Sequence, residues 1–301
     1  MHGAPTSADL PSGIMKGITS MKKLIRVAPV AAIALTLSVL SGTYTSASAA
    51  AGCSPSTLKT VAAKTLTIAT GAPAYTPWVI DDKPETGKGF EAAVAYAVAK
   101  KLGYSAAQVK WIRTTFDAAI APGPKKFDFN IQQYSITADR SKVVDFSSAY
   151  YKSNQAIVTY KGSKLDGVKS IAAVKAAKAK IGAAVASTSL DAVSNLLGVK
   201  PQVFNDNAAA VTALKNKQID GLVVDLPTAF YLAAAEIPNG VIAGQFANVD
   251  KADKGAGLLL AKNSPITACV TKALDAVRAS GELAAITTKW LTSSAGAPVL
   301  K

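Results

Sequence analysis

The chain is nearly devoid of histidine: the one it has is His2, in a prefix set aside below, so no Ser-His or Cys-His nucleophile and no histidine metal site can be assembled from the rest. Glutamate is almost as scarce. Glu85, Glu91, Glu236 and Glu282 are the full set, and none is paired in sequence with another acid at a cleft-forming position, which argues against hydrolysis while leaving Asp or Lys chemistry open. No phosphate-binding loop is present, because Gly87-Lys88-Gly89 lacks the G-x-x-x-x-G-K-[ST] spacing. Basic residues outnumber acidic ones by 33 to 19, but they form no block and are not interleaved with aromatics. Lys100, Lys101, Lys175, Lys178, Lys180, Lys215 and Lys217 are scattered at helix-surface positions, a pattern of solvated faces and not of a nucleic-acid stripe. There is also no comfortable membrane span; the apolar stretch from Val27 to Leu40 is too short.

That short stretch has its own meaning. Met21 opens a basic start (Lys22, Lys23, Arg26), the apolar segment follows, and small residues end in Ala47-Ser48-Ala49. This is the pattern of a secretory signal with an A-x-A cleavage site, so residues 21–49 are expected to be removed and the mature chain to start near Ala50. Residues 1–20 carry no pattern and read as an upstream extension. Without residues 1–49 the chain loses Lys16, Lys22, Lys23, Arg26 and Asp9, which leaves 29 basic against 18 acidic side chains, a net charge of +11. A solvated surface near an anionic envelope accounts for that charge in an exported protein. Two cysteines remain, Cys53 and Cys269, and in an exported chain an even pair reads as a disulfide. The alternative is lipidation, since Ala50-Ala51-Gly52-Cys53 resembles a lipobox with Ala50 in the place of the usual Leu. The disulfide is the favoured reading.

The length of 301 residues allows one large domain or two lobes. Its most informative stretch is FDFNIQQYSITADRSKVVDFSSAYY, Phe127 to Tyr151. Phe127, Phe129 and Ile131 alternate with Asp128, Asn130 and Gln132, as in a half-buried strand, and the run empties into a polar turn. Ser135, Thr137 and Arg140 then deliver donors to one place. A guanidinium offers two parallel charge-assisted bonds in a planar fork, which suits a carboxylate. The run SITADRSKVVDFSSAYY resembles the signature of the solute-binding proteins of polar amino-acid ABC importers, bacterial extracellular solute-binding family 3, and the resemblance extends from about Leu66 to Leu291.

The resemblance implies an α/β fold, a two-lobe periplasmic-binding-protein-like clamp of type II in which each lobe is a mixed sheet flanked by helices. Lobe one is expected to be discontinuous, residues 54–153 and 256–301, with lobe two at 154–255 and hinge crossings near 152–154 and 255–257. It also implies roles. Ser135 and Arg140, with Thr137 beside them, would hold a ligand's α-carboxylate, and Asp225, at the end of the strand Ile219–Asp225, would take its α-ammonium. Tyr75, in a Pro-rich loop after the strand Leu66–Ala69, and Phe116 would face the ligand as aromatic walls, and Ser187 and Thr188 would meet it from a helix N-terminus. Each has a plainer alternative: packing for the aromatics, helix capping for Ser187, Thr188 and Asp225, a surface ion pair for Arg140. Many relatives carry an acid where this chain has Gly71, so a cationic ligand is disfavoured unless another acid substitutes. Glu91 is assigned to stabilising a helix N-terminus. Gln132, Gln133 and Tyr134 line the approach to the signature, and Gln133 replaces a small residue common in relatives.

The expected function is therefore an extracytoplasmic substrate-binding component of an ABC importer, not an enzyme. It would act as a monomer, without cofactor or metal, binding a free amino acid of neutral polar type and handing it to a membrane permease. The expected location is periplasmic or cell-surface. The alternatives are an enzyme on the same scaffold, dehydratase-like or murein-cleaving, and a ligand-sensing partner of a membrane receptor. A buried glutamate in the cleft would favour the enzyme, and a closed clamp would favour the binder.

Overall fold

The computed structural model describes residues 52–246, 254–291 and 296–301; the upstream extension and the signal segment lie outside the described residues. In chain order come β1 (Leu66–Thr70), α1 (Phe90–Lys101), β2 (Val109–Arg113), α2 (Phe116–Ile120), β3 (Phe129–Asn130), α3 (Ala138–Val143) and β4 (Val144–Tyr151). There follow β5 (Gln155–Tyr160), α4 (Ile171–Ala176), β6 (Ile181–Ala184), α5 (Thr188–Asp191), β7 (Gln202–Phe204), α6 (Asn207–Lys215), β8 (Gly221–Asp225), α7 (Leu226–Tyr231) and β9 (Gly240–Phe246). The chain returns as β10 (Ala256–Ala261), α8 (Thr267–Ala279) and α9 (Glu282–Leu291). Among the described residues no helix is long and apolar enough to cross a membrane.

Two five-stranded sheets result, ordered β2-β1-β3-β10-β4 and β7-β6-β8-β5-β9. They follow the same plan: three parallel strands, then a strand that runs antiparallel to both of its neighbours, β10 in the first sheet and β5 in the second. The apolar run of β1 is buried throughout because a strand with helices on both faces has no solvent side. The alternation at Phe127–Gln132 is not that of a half-buried strand. Phe127, Asp128, Phe129, Asn130 and Ile131 are all buried, because β3 is wedged between β1 and a β10 that arrives more than a hundred residues later. Asp128 is tolerated there by accepting the backbone N–H groups of Val61 and Thr67 at 2.8 and 2.6 Å.

The hydrophobic clusters follow the sheets. Phe90, Val94 and Val98 of α1 pack with Ile68, Phe129, Leu258 and Val270 against the first sheet, while Val158, Leu222, Leu214 and Leu232 pack on the second. The chain passes from one sheet to the other at 152–154 and comes back at Gly255. There φ is +90°, and a Cβ would sit 2.4 Å from Tyr151 O, so only glycine lets the start of β10 pass the end of β4. Cys53 and Cys269 are bridged, with Cα atoms 5.5 Å apart, tying the chain ahead of β1 to α8. A sulfur engaged in that bridge has no thiol left to carry a lipid.

The expected boundary of the C-terminal segment needs a correction. Residues 297–301 do not stay with the first sheet: Val299 bridges in parallel to Gln245 on the edge strand β9, and Leu300 is buried with Leu165, Val174 and Phe246. Gln245 holds this tail three ways, donating N–H to Pro298 O, accepting from Leu300 N–H and donating Nε2 to Ala297 O. The physical reason is an open edge, since β9 has unpaired backbone groups on one side and an apolar groove beside them.

Candidate functional site

In both sheets the parallel strands point their C-terminal ends the same way, and that is where open α/β sheets place ligands. Thr70 at the end of β1, Gln132 just past β3, Ala184 at the end of β6 and Asp225 at the end of β8 all border one cavity of about 100 Å³. Among the residues singled out from sequence, Tyr75, Phe116, Ser187, Thr188 and Asp225 lie on its wall. Ser135 borders a much smaller adjoining pocket, together with Asp225, Trp78 and Gly255. Thr137 and Arg140 are on neither wall. Thr137 is the N-cap of α3, its hydroxyl accepting the Arg140 N–H at 3.2 Å. Arg140 is buried beside the cavity, with Cζ 5.5 Å from the centre of the Phe116 ring. Its Nη1 donates to Ser135 O at 2.8 Å and its Nη2 to Ala186 O at 2.7 Å, so the fork spans from the first sheet's loops to the second's.

Three further contacts cross the same gap. Ser135 Oγ lies 3.4 Å from Thr188 Oγ1, Trp78 Nε1 donates to Thr228 Oγ1 at 2.7 Å, and the Tyr75 ring packs 6.0 Å from that of Tyr231. The two halves are thus drawn together around the cavity. Burial among these groups pushes the Tyr75 hydroxyl well above its usual range, with Glu236 and Asp206 adding to the effect, so it stays a neutral donor at any ordinary pH. Phe116 stacks on Tyr134 at 4.5 Å. Ser187 is a working cap: its Oγ accepts Leu190 N–H and donates to Ala184 O. Asp225, although it immediately precedes α7, makes no side-chain cap bond; it accepts from Gln155 Nε2 at 2.5 Å, and Gln155 Oε1 in turn accepts from Ser189 Oγ.

Gln132 and Gln133 both border the cavity. Gln133 is at φ +52°, and its N–H and its Nε2 both bond the Glu91 carboxylate. The Gln132 amide is fixed by Tyr134, whose OH donates to its Oε1 at 3.0 Å, which directs Nε2 toward Gly71. Glu91, read as a helix N-terminal charge, is wholly buried and is also bonded by Tyr150 OH. Burial pushes its carboxyl up to about 7, against the pull of the Tyr150 and Gln133 bonds. It lies behind Gln133 and is not among the residues that border the cavity. Asp206 caps α6 through Ala209 N–H and also borders the cavity. Among the described residues no cluster of His, Cys, Asp or Glu could hold a metal.

Residues 66–293 match the family model of the bacterial extracellular solute-binding proteins, family 3. The chain belongs to this family. The arginine-binding extracellular protein ArtP of Bacillus subtilis is 26% identical over 206 residues, 68% of this chain and 78% of that protein. A solved structure of an ancestral arginine-binding protein bound to glutamine is 32% identical and superposes with a TM-score of 0.63, over 75% of this chain and 97% of that one. An ancestral amino acid-binding protein described as a precursor of cyclohexadienyl dehydratase is 29% identical with a TM-score of 0.61, over 76% of this chain and 95% of that one. The fold of this family 3 chain is the type II periplasmic-binding-protein clamp, α/β with two mixed sheets flanked by helices. Its curated relatives are binding proteins of amino-acid ABC transporters.

Proposed function

We propose that this chain is exported, closes as two lobes around one free amino acid of neutral polar type, and hands it to a membrane permease of an ABC importer. The lobes are residues 54–153 with 256–291, and 154–255 with the tail 297–301. The observation that carries the reading is the set of bonds across the cavity: Arg140 and Ser135 from one side reach Ala186 and Thr188 on the other, with Asp225 facing them. In this scheme Arg140 and Ser135 take the α-carboxylate through charge-assisted bonds, while Asp225, oriented by Gln155, takes the α-ammonium. Tyr75 and Phe116 wall the side chain. The relatives that bind arginine or glutamine support an amino acid as the ligand class.

The test is a thermal-shift screen of the twenty amino acids followed by calorimetric titration, since a ligand that binds only the native state raises its apparent stability. A rise with one or a few free amino acids, lost when the α-carboxylate is amidated, is the expected result. No shift with any of them would remove the reading.

A further inference from the structure

Gly71 and Gln132 fit each other closely. A Cβ on residue 71 would lie 2.6 Å from Gln132 Nε2 and 3.0 Å from Gln132 Cδ, so the carboxamide of Gln132 occupies the space beside Gly71 that any larger residue would need. Because Tyr134 OH donates to Gln132 Oε1, this amide presents a donor, Nε2, and not an acceptor at that end of the cavity. Thr70 is the adjacent residue on the same wall, and its hydroxyl is buried without a hydrogen-bond partner among the described residues. A buried hydroxyl left unpaired is costly and points to a partner supplied from the cavity. Asp206 borders the same cavity from α6; one of its oxygens accepts Ala209 N–H, and its carboxylate can only accept.

Resting on the amino-acid-binding reading above, we infer that Gln132 and Asp206 read a primary carboxamide at the end of the ligand's side chain, so the cavity selects glutamine or asparagine. A carboxamide has one oxygen to accept from Gln132 Nε2 and one NH₂ to donate to Asp206, with Thr70 Oγ1 able to serve either group. A guanidinium or ammonium has donors only and would meet the Gln132 donor with another donor. A carboxylate has acceptors only and would meet Asp206 with like charge. Each mismatch leaves a cavity-facing polar group unpaired once the ligand has displaced water, which corresponds to roughly 10- to 100-fold in affinity.

Calorimetric titration of the exported protein with glutamine, asparagine, glutamate, arginine and lysine tests this. Glutamine or asparagine should bind tightest, with glutamate, arginine and lysine each weaker by about tenfold or more. Gln132→Glu keeps the acceptor for Tyr134 OH but removes the donor; it should weaken glutamine by roughly 10- to 100-fold and improve arginine relative to glutamine. Asp206→Asn retains a good helix cap, so the fold is kept. It should raise glutamate affinity relative to glutamine by about tenfold. Arginine or glutamate equal to glutamine in the parent protein overturns the inference while leaving an amino-acid binder standing, as does unchanged glutamine affinity and selectivity in both variants. Absence of binding by every amino acid overturns the proposed function and this inference with it.

Discussion

Glu91→Gln should flatten part of the pH dependence of stability. In the folded protein the Glu91 carboxyl is raised from 4.5 to about 7, because burial in the core behind Gln133 disfavours the charge more than its hydrogen bonds favour it. The groups facing it are the Tyr150 hydroxyl and the Gln133 N–H and Nε2, with Asp225 and Tyr134 near enough to interact. A raised carboxyl means that the native state binds more protons than the unfolded state between the two values. Its contribution to stability is therefore fully present below about pH 4.5 and is lost as pH rises through about 7. A displacement of that size corresponds to on the order of 3 kcal/mol. Glutamine cannot ionise, so the variant lacks this loss. Asp117, Glu236 and Asp275, whose carboxyls are held down by hydrogen bonds, give the opposite slope but do so equally in both proteins. The measurement is chemical denaturation of parent and variant from pH 4.5 to 8. The difference between their unfolding free energies should drift by on the order of 3 kcal/mol in favour of the variant as pH rises. Parallel curves across that range would refute the account of Glu91.

The other predictions concern the cavity, the tail, the bridge and the leader. Arg140→Ala and Asp225→Ala should each weaken the best amino acid by roughly 30- to several-thousand-fold, the 2–5 kcal/mol typical of breaking one side of a desolvated pair, and Arg140→Lys should not rescue because an ammonium lacks the fork; titration showing parental affinity for Arg140→Ala would sink the carboxylate role. Leu300→Ala empties a buried site against Leu165 and Phe246 and should cost about 2–4 kcal/mol in denaturant unfolding, whereas a loss within error would mean that the tail does not hold β9. Unfolded, unreduced protein should show no reactive thiol, and Cys269→Ser should destabilise by about 3–5 kcal/mol through release of the long loop; two labelled thiols would refute the bridge. Mass spectrometry of the secreted protein should find an N-terminus near Ala50, and a lipid mass on Cys53 would contradict it.

What could be read from the chain was whatever is decided locally. The strand ending at Asp225 and the capping hydroxyl of Ser187 depend on a few neighbouring residues, and the structure shows both. The misreadings share one cause, a partner that comes from far away. Phe127–Ile131 alternates as a half-exposed strand would, and only the insertion of β10 buries its polar members. The tail at 297–301 follows α9 in sequence but finds the open edge of β9.

The pair Gln132-Gln133 sharpens the point. Both residues border the cavity, and Gln133, at φ +52°, is not in extended backbone, so strand alternation does not sort the two side chains. Nothing within the dipeptide says which partner holds which amide. The Gln133 amide is held by Glu91, about forty residues earlier on α1, whose buried carboxylate accepts its N–H and its Nε2, and the Gln132 amide by Tyr134, whose hydroxyl donates to its Oε1. With Gln133 bonded to Glu91, Gln132 keeps its own amide directed toward Gly71. The donors that this wall presents thus depend on partners outside the dipeptide, one on α1 and one beside it in the chain.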